Sequence, residues 1–289
     1  MRYRLIDEEK PHHAVSRLAC VLGVSRAGYY AWAGRAPSKR SLADDALRRR
    51  IEQIHAATDG IYGAPRIYAE LADEGIRVGR KRVARLLRQA GLAGVSTRRG
   101  YRTTTPGGEA PAAPDLVARK FTAERPNELW FADITYVPTW QGWLYLAAVV
   151  DACSRYCVGW SMRDDLSAEL VYDALGMAVT RRRPAAELIH HSDRGSQYRS
   201  LAYGRLLRES RIMPSMGSRG DAYDNAAMES FMATIKKELI HRRRFKTRDE
   251  ARLAIFKYIE TFYNPLRRHS SLGQRSPLNY ERAALTVTT

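Results

Sequence analysis

The segment LWFADITYV (Leu129–Val137) sets one aspartate, Asp133, inside an otherwise apolar and aromatic run that reads as a β-strand. Burying a carboxylate there without a partner is costly, so Asp133 calls for a structural or chemical reason. Working outward, Trp143 to Val150 and Tyr156 to Met162 read as two further strands, joined by a turn at Asp151 to Arg155. A helix is expected from Ala168 to Thr180 and a short strand from Glu187 to His191. Another helix follows from Leu201 to Ser210, then a strand near Ile212 to Ser215 and a long helix from Ala226 to Ile240.

Three strands, a helix, a strand, a helix, a strand and a helix is the element order of an α/β, ribonuclease-H-like core. In that topology the first and fourth strands are neighbours, and the last helix crosses their ends. Asp133 lies in the first strand. Asp193, in HSDRGSQY (His191–Tyr198), follows the fourth. Glu229, in DNAAMESF (Asp224–Phe231), lies in the first turns of the last helix. Thirty-five residues separate Asp193 from Glu229. Two bare carboxylates ~4 Å apart repel by about 4 kcal/mol at an effective dielectric near 20, so such a cluster needs a proton or a cation. Oxygen-only ligands suit Mg²⁺, with Mn²⁺ as a substitute, and two ions per site can serve an in-line displacement at phosphate.

Neighbouring residues admit plainer roles. Asp151 fits a turn acid better than a fourth ligand, and Asp224, with Asp221 nearby, fits an N-cap of the last helix. His191 and Arg194 flank Asp193, where phosphate contact and core hydrogen bonding are equally open. Lys236 falls seven residues after Glu229 on the same helical face, fit either for a DNA end or for solvent. Arg242, Arg243 and Arg244 form a basic knot suited to DNA or to the helix C-terminus.

The chain of 289 residues carries 48 Lys/Arg against 31 Asp/Glu, and the excess is uneven. Residues 1–125 hold 24 basic and 13 acidic side chains; residues 126–289 hold 24 and 18. A surface of this kind attracts polyanions. No run approaches the ~20 apolar residues of a membrane span, and no signal peptide is evident, so nucleic acid is the expected partner and a membrane is not. Cys20, Cys153 and Cys157 are too few for a disulfide framework, and the last two fit buried thiols in strands.

Upstream of the core the texture is all-α. Val15, Leu18, Ala19 and Leu22 repeat at helical spacing, Gly23 breaks the run, and Ser25 can cap a helix carrying Tyr29, Tyr30 and Trp32. This is the outline of a helix-turn-helix, although a helical hairpin has the same spacing. A second module spans a helix through Leu47, Ile51 and Ile54, the segment YGAPRI (Tyr62–Ile67), a helix through Leu71, and a last helix with Val83, Leu86 and Leu87 on one face. Arg80, Lys81, Arg82, Arg85 and Arg88 fill the rest of that last helix. No acid occurs from Val78 to Arg102, which fits a recognition helix in a major groove better than a mixed solvated face. Residues 93–125, with Arg98, Arg99 and the tract TTTPGG, read as a basic linker, either following DNA or serving as a tether. The resulting division is 1–40, 41–92, linker 93–125, catalytic core 126–240, and a helical extension 241–289.

HSDRGSQY, the thirty-five-residue spacing to YDNAAMESF, and the tail YNPLRRHSSLGQRSP (Tyr263–Pro277) together resemble the integrase-type core of insertion-sequence-three transposases. GVSRAGYYAW (Gly23–Trp32) and YGAPRI resemble the second reading frame of the same family. The resemblance implies that Asp133, Asp193 and Glu229 are the metal ligands of a DDE transposase. It implies cleavage at terminal inverted repeats to free a 3′-hydroxyl, followed by strand transfer. It implies double-stranded DNA as partner, at least a dimer on paired ends, and a cytoplasmic, nucleoid-associated bacterial protein. Full-length family enzymes commonly add an upstream helix-turn-helix and leucine zipper by frameshifting. No heptad run precedes His12, so the expectation is the second frame, alone or joined to such a segment. A nuclease that only hydrolyses and a domesticated DNA-binding regulator are the competing readings. The first has no need of two helical modules, and the second has no need of three intact acids.

Overall fold

Ser25 caps the turn after Gly23 as its spacing predicts. Its hydroxyl accepts from the Gly28 amide at 2.9 Å, while Gly23 takes a φ of +62°. The computed structural model describes residues 1–96, 123–216 and 226–287. In its first part, α1 (Arg2–Glu9), α2 (Val15–Val21) and α3 (Arg26–Ala33) close around Ile6, Ala19 and Tyr29. Helix α1 was not signalled by its sequence, because Ile6 is its only buried side chain.

Helices α4 (Lys39–Ala57), α5 (Ala64–Asp73) and α6 (Arg80–Gln89) form the second module. Their apolar stripes, Leu47, Ile51 and Ile54, Ile67 and Leu71, and Val83, Leu86 and Leu87, all lie inward. That interior is continuous with the next domain: the same apolar cluster runs on through Phe131, Val137, Leu144 and Phe231 to Tyr263.

The core sheet holds β1 (Leu129–Thr139), β2 (Gly142–Asp151), β3 (Cys157–Arg163), β4 (Ile189–Ser192) and β5 (Met213–Met216), in the order β3-β2-β1-β4-β5. The first three pair antiparallel; β1–β4 and β4–β5 are parallel. This is the ribonuclease-H-like arrangement expected from the element order. Strand alternation divides the faces. Trp130 and Ala132 point toward α7 (Ala168–Arg182) and α8 (Leu201–Glu209), whereas Phe131 and Val137 point toward α9 (Ala226–Glu238) and α10 (Arg248–Lys257). Gly159 lets α7 settle onto β3, since a Cβ there would overlap the Ala174 carbonyl. The chain ends in α11 (Pro277–Val287).

One polar cluster ties these parts together. Glu238, the last residue of α9, is fully buried. Arg267 donates to both its carboxylate oxygens at 2.7 Å, Tyr258 donates through its hydroxyl at 2.7 Å, and Arg66 adds a 3.3 Å contact. Burial alone would raise the Glu238 pKa, but the hydrogen bonds and charges of Arg267, Arg66 and Tyr258 outweigh it and hold it below the usual range. Tyr258 opens a π-helical turn, Tyr258–Tyr263, that continues α10 and turns its hydroxyl toward Glu238. Around this cluster YGAPRI meets the tail motif. The Tyr62 hydroxyl donates to the Leu266 carbonyl at 3.0 Å and accepts from the Arg268 amide at 2.9 Å. Arg66 donates to the Arg268 carbonyl at 3.0 Å, and Arg268 pairs with Glu70 at 2.6 Å.

Removing Arg267 leaves a buried carboxylate short of its bidentate partner. Arg267→Ala is therefore expected to lower stability by about 3–5 kcal/mol, and Arg267→Lys to recover only part, because an ammonium cannot reproduce the fork. Urea unfolding of the three proteins checks this; equal midpoints for Arg267→Ala and wild type would refute it.

Candidate active site and nucleic-acid interface

The parallel pairing of β1 and β4 is what brings the first two acids together. Leu129 lies opposite Ile189 and Phe131 opposite His191. Asp133 stands two residues beyond Phe131 on β1, and Asp193 two residues beyond His191, just past the end of β4. Asp133 is partly buried, and its Oδ1 accepts from the Ile134 amide at 2.7 Å. Asp193 is exposed and folds back on its own turn, where the Gly195 amide donates to Oδ1 at 2.8 Å. A Cβ at Gly195 would come within 2.9 Å of that oxygen, so a side chain there would push the Asp193 carboxylate aside.

Glu229 sits on α9. Met228, Phe231, Met232 and Ile235 form the buried stripe of that helix and press it onto the sheet. Glu229, exposed, and Lys236, half-buried, lie beside this stripe. Asp193 and Glu229 both act on Asp133. Burial drives the Asp133 pKa up to about 7; the Ile134 amide opposes this, Asp193 adds to it, Lys236 opposes it, and Glu229 adds to it. Among the described residues, no three His, Cys, Asp or Glu side chains stand at the spacing of a metal-ligand group. The donor set, carboxylate oxygens alone with the innermost one resisting ionisation, fits a hard divalent cation.

The plainer roles fall out individually. Asp151 is a turn acid: it is buried, accepts from the amides of Asn127, Cys153 and Ser154, and takes the Ser154 hydroxyl at 2.9 Å. His191 is a core residue whose Nδ1 lies 2.9 Å from the Ser215 hydroxyl. Cys153 and Cys157 are buried free thiols and Cys20 is exposed. Arg194 is exposed beside Asp193. Asp221, Asp224, Arg98 and Arg99 lie outside the described residues.

On α6 the cations divide. Arg82 and Arg85 both close on Asp44, each at 2.7 Å, and hold its carboxyl below the usual range, Arg85 first. Arg80 lies over the Tyr68 ring at 5.0 Å, while Lys81 and Arg88 are exposed. The basic knot divides too: Arg242 and Arg243 each reach Asp59 at 3.3 Å, bridging the core to the second module, and Arg244 is exposed. Sequence reasoning missed the Glu238 cluster. Its only signal was the pair of arginines in YNPLRRH, whose partner lies 29 residues away.

A five-stranded sheet of this order, preceded by helical modules, is the architecture of the integrase class of polynucleotidyl transferases. The family comparison agrees: the "Integrase core domain" model matches residues 123–222, a second model of that description matches 210–277, and the "HTH-like domain" model matches 42–100. The chain is 45% identical to the insertion element IS600 31 kDa protein of Shigella sonnei, over 89% of its own length and 94% of that protein. It is 37% identical to the transposase InsF for insertion sequence IS3A of Escherichia coli K12, over 99% of its own length and 100% of that protein. Among solved structures it is similar to a simian T-cell lymphotropic virus intasome chain, with a TM-score of 0.47, 14% identity, and coverage of 80% of this chain and 74% of that one. The chain belongs to the insertion-sequence-three family of transposases. No described helix is long and apolar enough to cross a membrane.

The folded-state pKa of Asp133 is raised, so between about pH 4 and 7 the native protein holds a proton that the unfolded chain has released. Stability of the metal-free protein is then full below that window and falls as pH rises through it. Asp133→Asn removes the ionising group and is expected to gain stability over wild type by up to a few kcal/mol between about pH 5 and about pH 8. Thermal midpoints of both proteins across pH test this, and a pH-independent difference would contradict it. Binding of a divalent cation should strengthen over the same window.

Proposed function

We propose that Asp133, Asp193 and Glu229 are the catalytic carboxylates and metal ligands of a transposase that cuts terminal inverted repeats and joins the freed 3′-hydroxyl to target DNA. The observation that carries this is the β1–β4 register, which sets Asp133 beside Asp193 while Glu229 acts on the same Asp133 charge. Two Mg²⁺ ions, with Mn²⁺ able to substitute, would supply activation of the attacking hydroxyl and stabilisation of the leaving oxygen. The chain's own part is to orient one oxygen of Asp133 and Asp193 by backbone donors and to bring Glu229 across on a helix packed to the sheet. Lys236 sits where it can hold the phosphate of the DNA end, exposed Arg194 lies next to Asp193, and exposed Arg244 adds a further cation for DNA. End recognition falls to the helical modules, with Arg80, Lys81 and Arg88 on α6 and Arg98 and Arg99 in the linker. Joining two ends calls for at least two copies of the chain. Double-stranded DNA is the partner, in the cytoplasm beside the chromosome.

Asp133→Ala, Asp193→Ala and Glu229→Ala are each expected to abolish cleavage and joining of labelled end DNA while leaving DNA binding intact. EDTA should stop the reaction, Mg²⁺ or Mn²⁺ restore it, and Ca²⁺ support binding alone. Near-normal strand transfer by any one variant, or turnover in chelator, would remove that residue or the ions from the mechanism.

The divided cations of α6 yield a second test. Neutralising Lys81 and Arg88 together should flatten the log–log salt dependence of end binding by up to about two. Neutralising Arg82 and Arg85 should act chiefly on folding, because Asp44 loses both partners. Competition titrations at several salt concentrations separate the two pairs, and an equal slope change from both would undo the distinction.

A further inference from the structure

Past the active site, the β1–β2 hairpin carries aromatic side chains out of the fold. Tyr136 is 57% exposed, Trp140 71% and Trp143 49%. Strand β4 pairs with β1 only at Leu129 to Phe131, so the stretch from Asp133 to Tyr136 runs on beyond it toward the hairpin tip. Tyr136 and Trp143 pack perpendicular at 5.0 Å between ring centres, which uses one ring face of the pair. Lys236, the cation whose charge reaches Asp133, places its ammonium 5.5 Å from the Tyr136 ring centre. At the tip, Lys246 stands in the same relation to Trp140 at 5.8 Å.

Exposed aromatics in series, with a cation over the ring of Tyr136 and another over that of Trp140, form a surface with two chemistries side by side. Rings offer flat faces for stacking, and ammonium groups offer charge for the intervening phosphates. Duplex DNA cannot use the rings, because its base faces are already stacked on one another. Unpaired nucleotides can, and stacking on rings tolerates any base. A cut in one strand at the carboxylates frees terminal nucleotides a few residues from this surface.

We propose that Tyr136 and Trp143, with Lys236 between them and the metal site and with Trp140 and Lys246 beyond, form a stacking platform for unpaired nucleotides next to the scissile phosphate. This rests on reading Asp133, Asp193 and Glu229 as the cutting site. The platform holds the strand end in line with the carboxylates after base pairing has been lost there, without reading its sequence.

The test uses the full chain with Ca²⁺, so that binding is read without turnover, and 2-aminopurine in end DNA that is either fully paired or bears a short unpaired extension. Wild type is expected to favour the extended end and to alter the fluorescence of the unpaired 2-aminopurine. Tyr136→Ala and Trp143→Ala should each lose about tenfold of that preference, with fully paired DNA bound as before. Tyr136→Phe and Trp143→Phe, which keep a ring, should retain it, and this guards against an unfolded alanine variant. Equal affinity of wild type for both ends, or alanine variants that keep the preference, would overturn the platform. So would alanine variants that change the sedimenting oligomer but not the end preference, since the rings would then serve a second copy of the chain. Failure to bind either DNA would overturn the end-binding reading itself, a result distinct from bound DNA without preference.

Discussion

The buried carboxylate of Glu238 is the constraint on which the rest of the molecule hangs. It ends the helix that carries Glu229, and it is held by Arg267 from the tail, Arg66 from the second helical module and Tyr258 from the π turn. A buried ion pair of this kind contributes little net stability over an apolar substitute, because desolvation offsets most of the attraction. Its effect is on uniqueness. Only one seating of α9 gives Glu238 its bidentate partner, and that seating fixes the direction in which Glu229 and Lys236 leave the helix. The same contact joins YGAPRI to YNPLRRH, two motifs about 200 residues apart, so the second helical module and the helix that carries Glu229 share one anchor.

Against that rigid frame Asp133, the innermost of the three proposed site acids, is held under electrostatic tension. Asp133 is drawn into the sheet by the strand that bears it, and burial together with Asp193 and Glu229 keeps its proton on to near neutral pH. A group so placed destabilises the ionised, cation-free protein and gives a divalent ion a large differential to exploit. Lys236 moderates the cluster without neutralising it. Around it, the cations of a chain with net charge +17 attract polyanions.

The cationic surface is more structured than its composition suggests. Arg82 and Arg85 spend their charge on Asp44, and Arg242 and Arg243 reach across to Asp59 in the second module. Such pairs set the placement of helices, and they leave Lys81, Arg88 and Arg244 turned outward on elements whose positions are already determined.

Amino-acid order by itself determined the elements and the candidate site. Local physics suffices for most of both: apolar and aromatic runs mark β1 to β3, the Ser25 cap and Gly23 mark the turn between α2 and α3, and an acid inside LWFADITYV is anomalous wherever the chain goes, whereas α1 carries too little apolar signal to be read. The thirty-five residues between Asp193 and Glu229, with the motifs around them, were enough to name the family. What only the tertiary structure decided depends on partners distant in the chain. Which arginines of α6 face outward hinges on Asp44, almost forty residues earlier. That Glu238 is a buried anchor and no solvated helix end hinges on Arg267 and Arg66. In each case the residue type permits either outcome, and desolvation by whatever packs against it selects one.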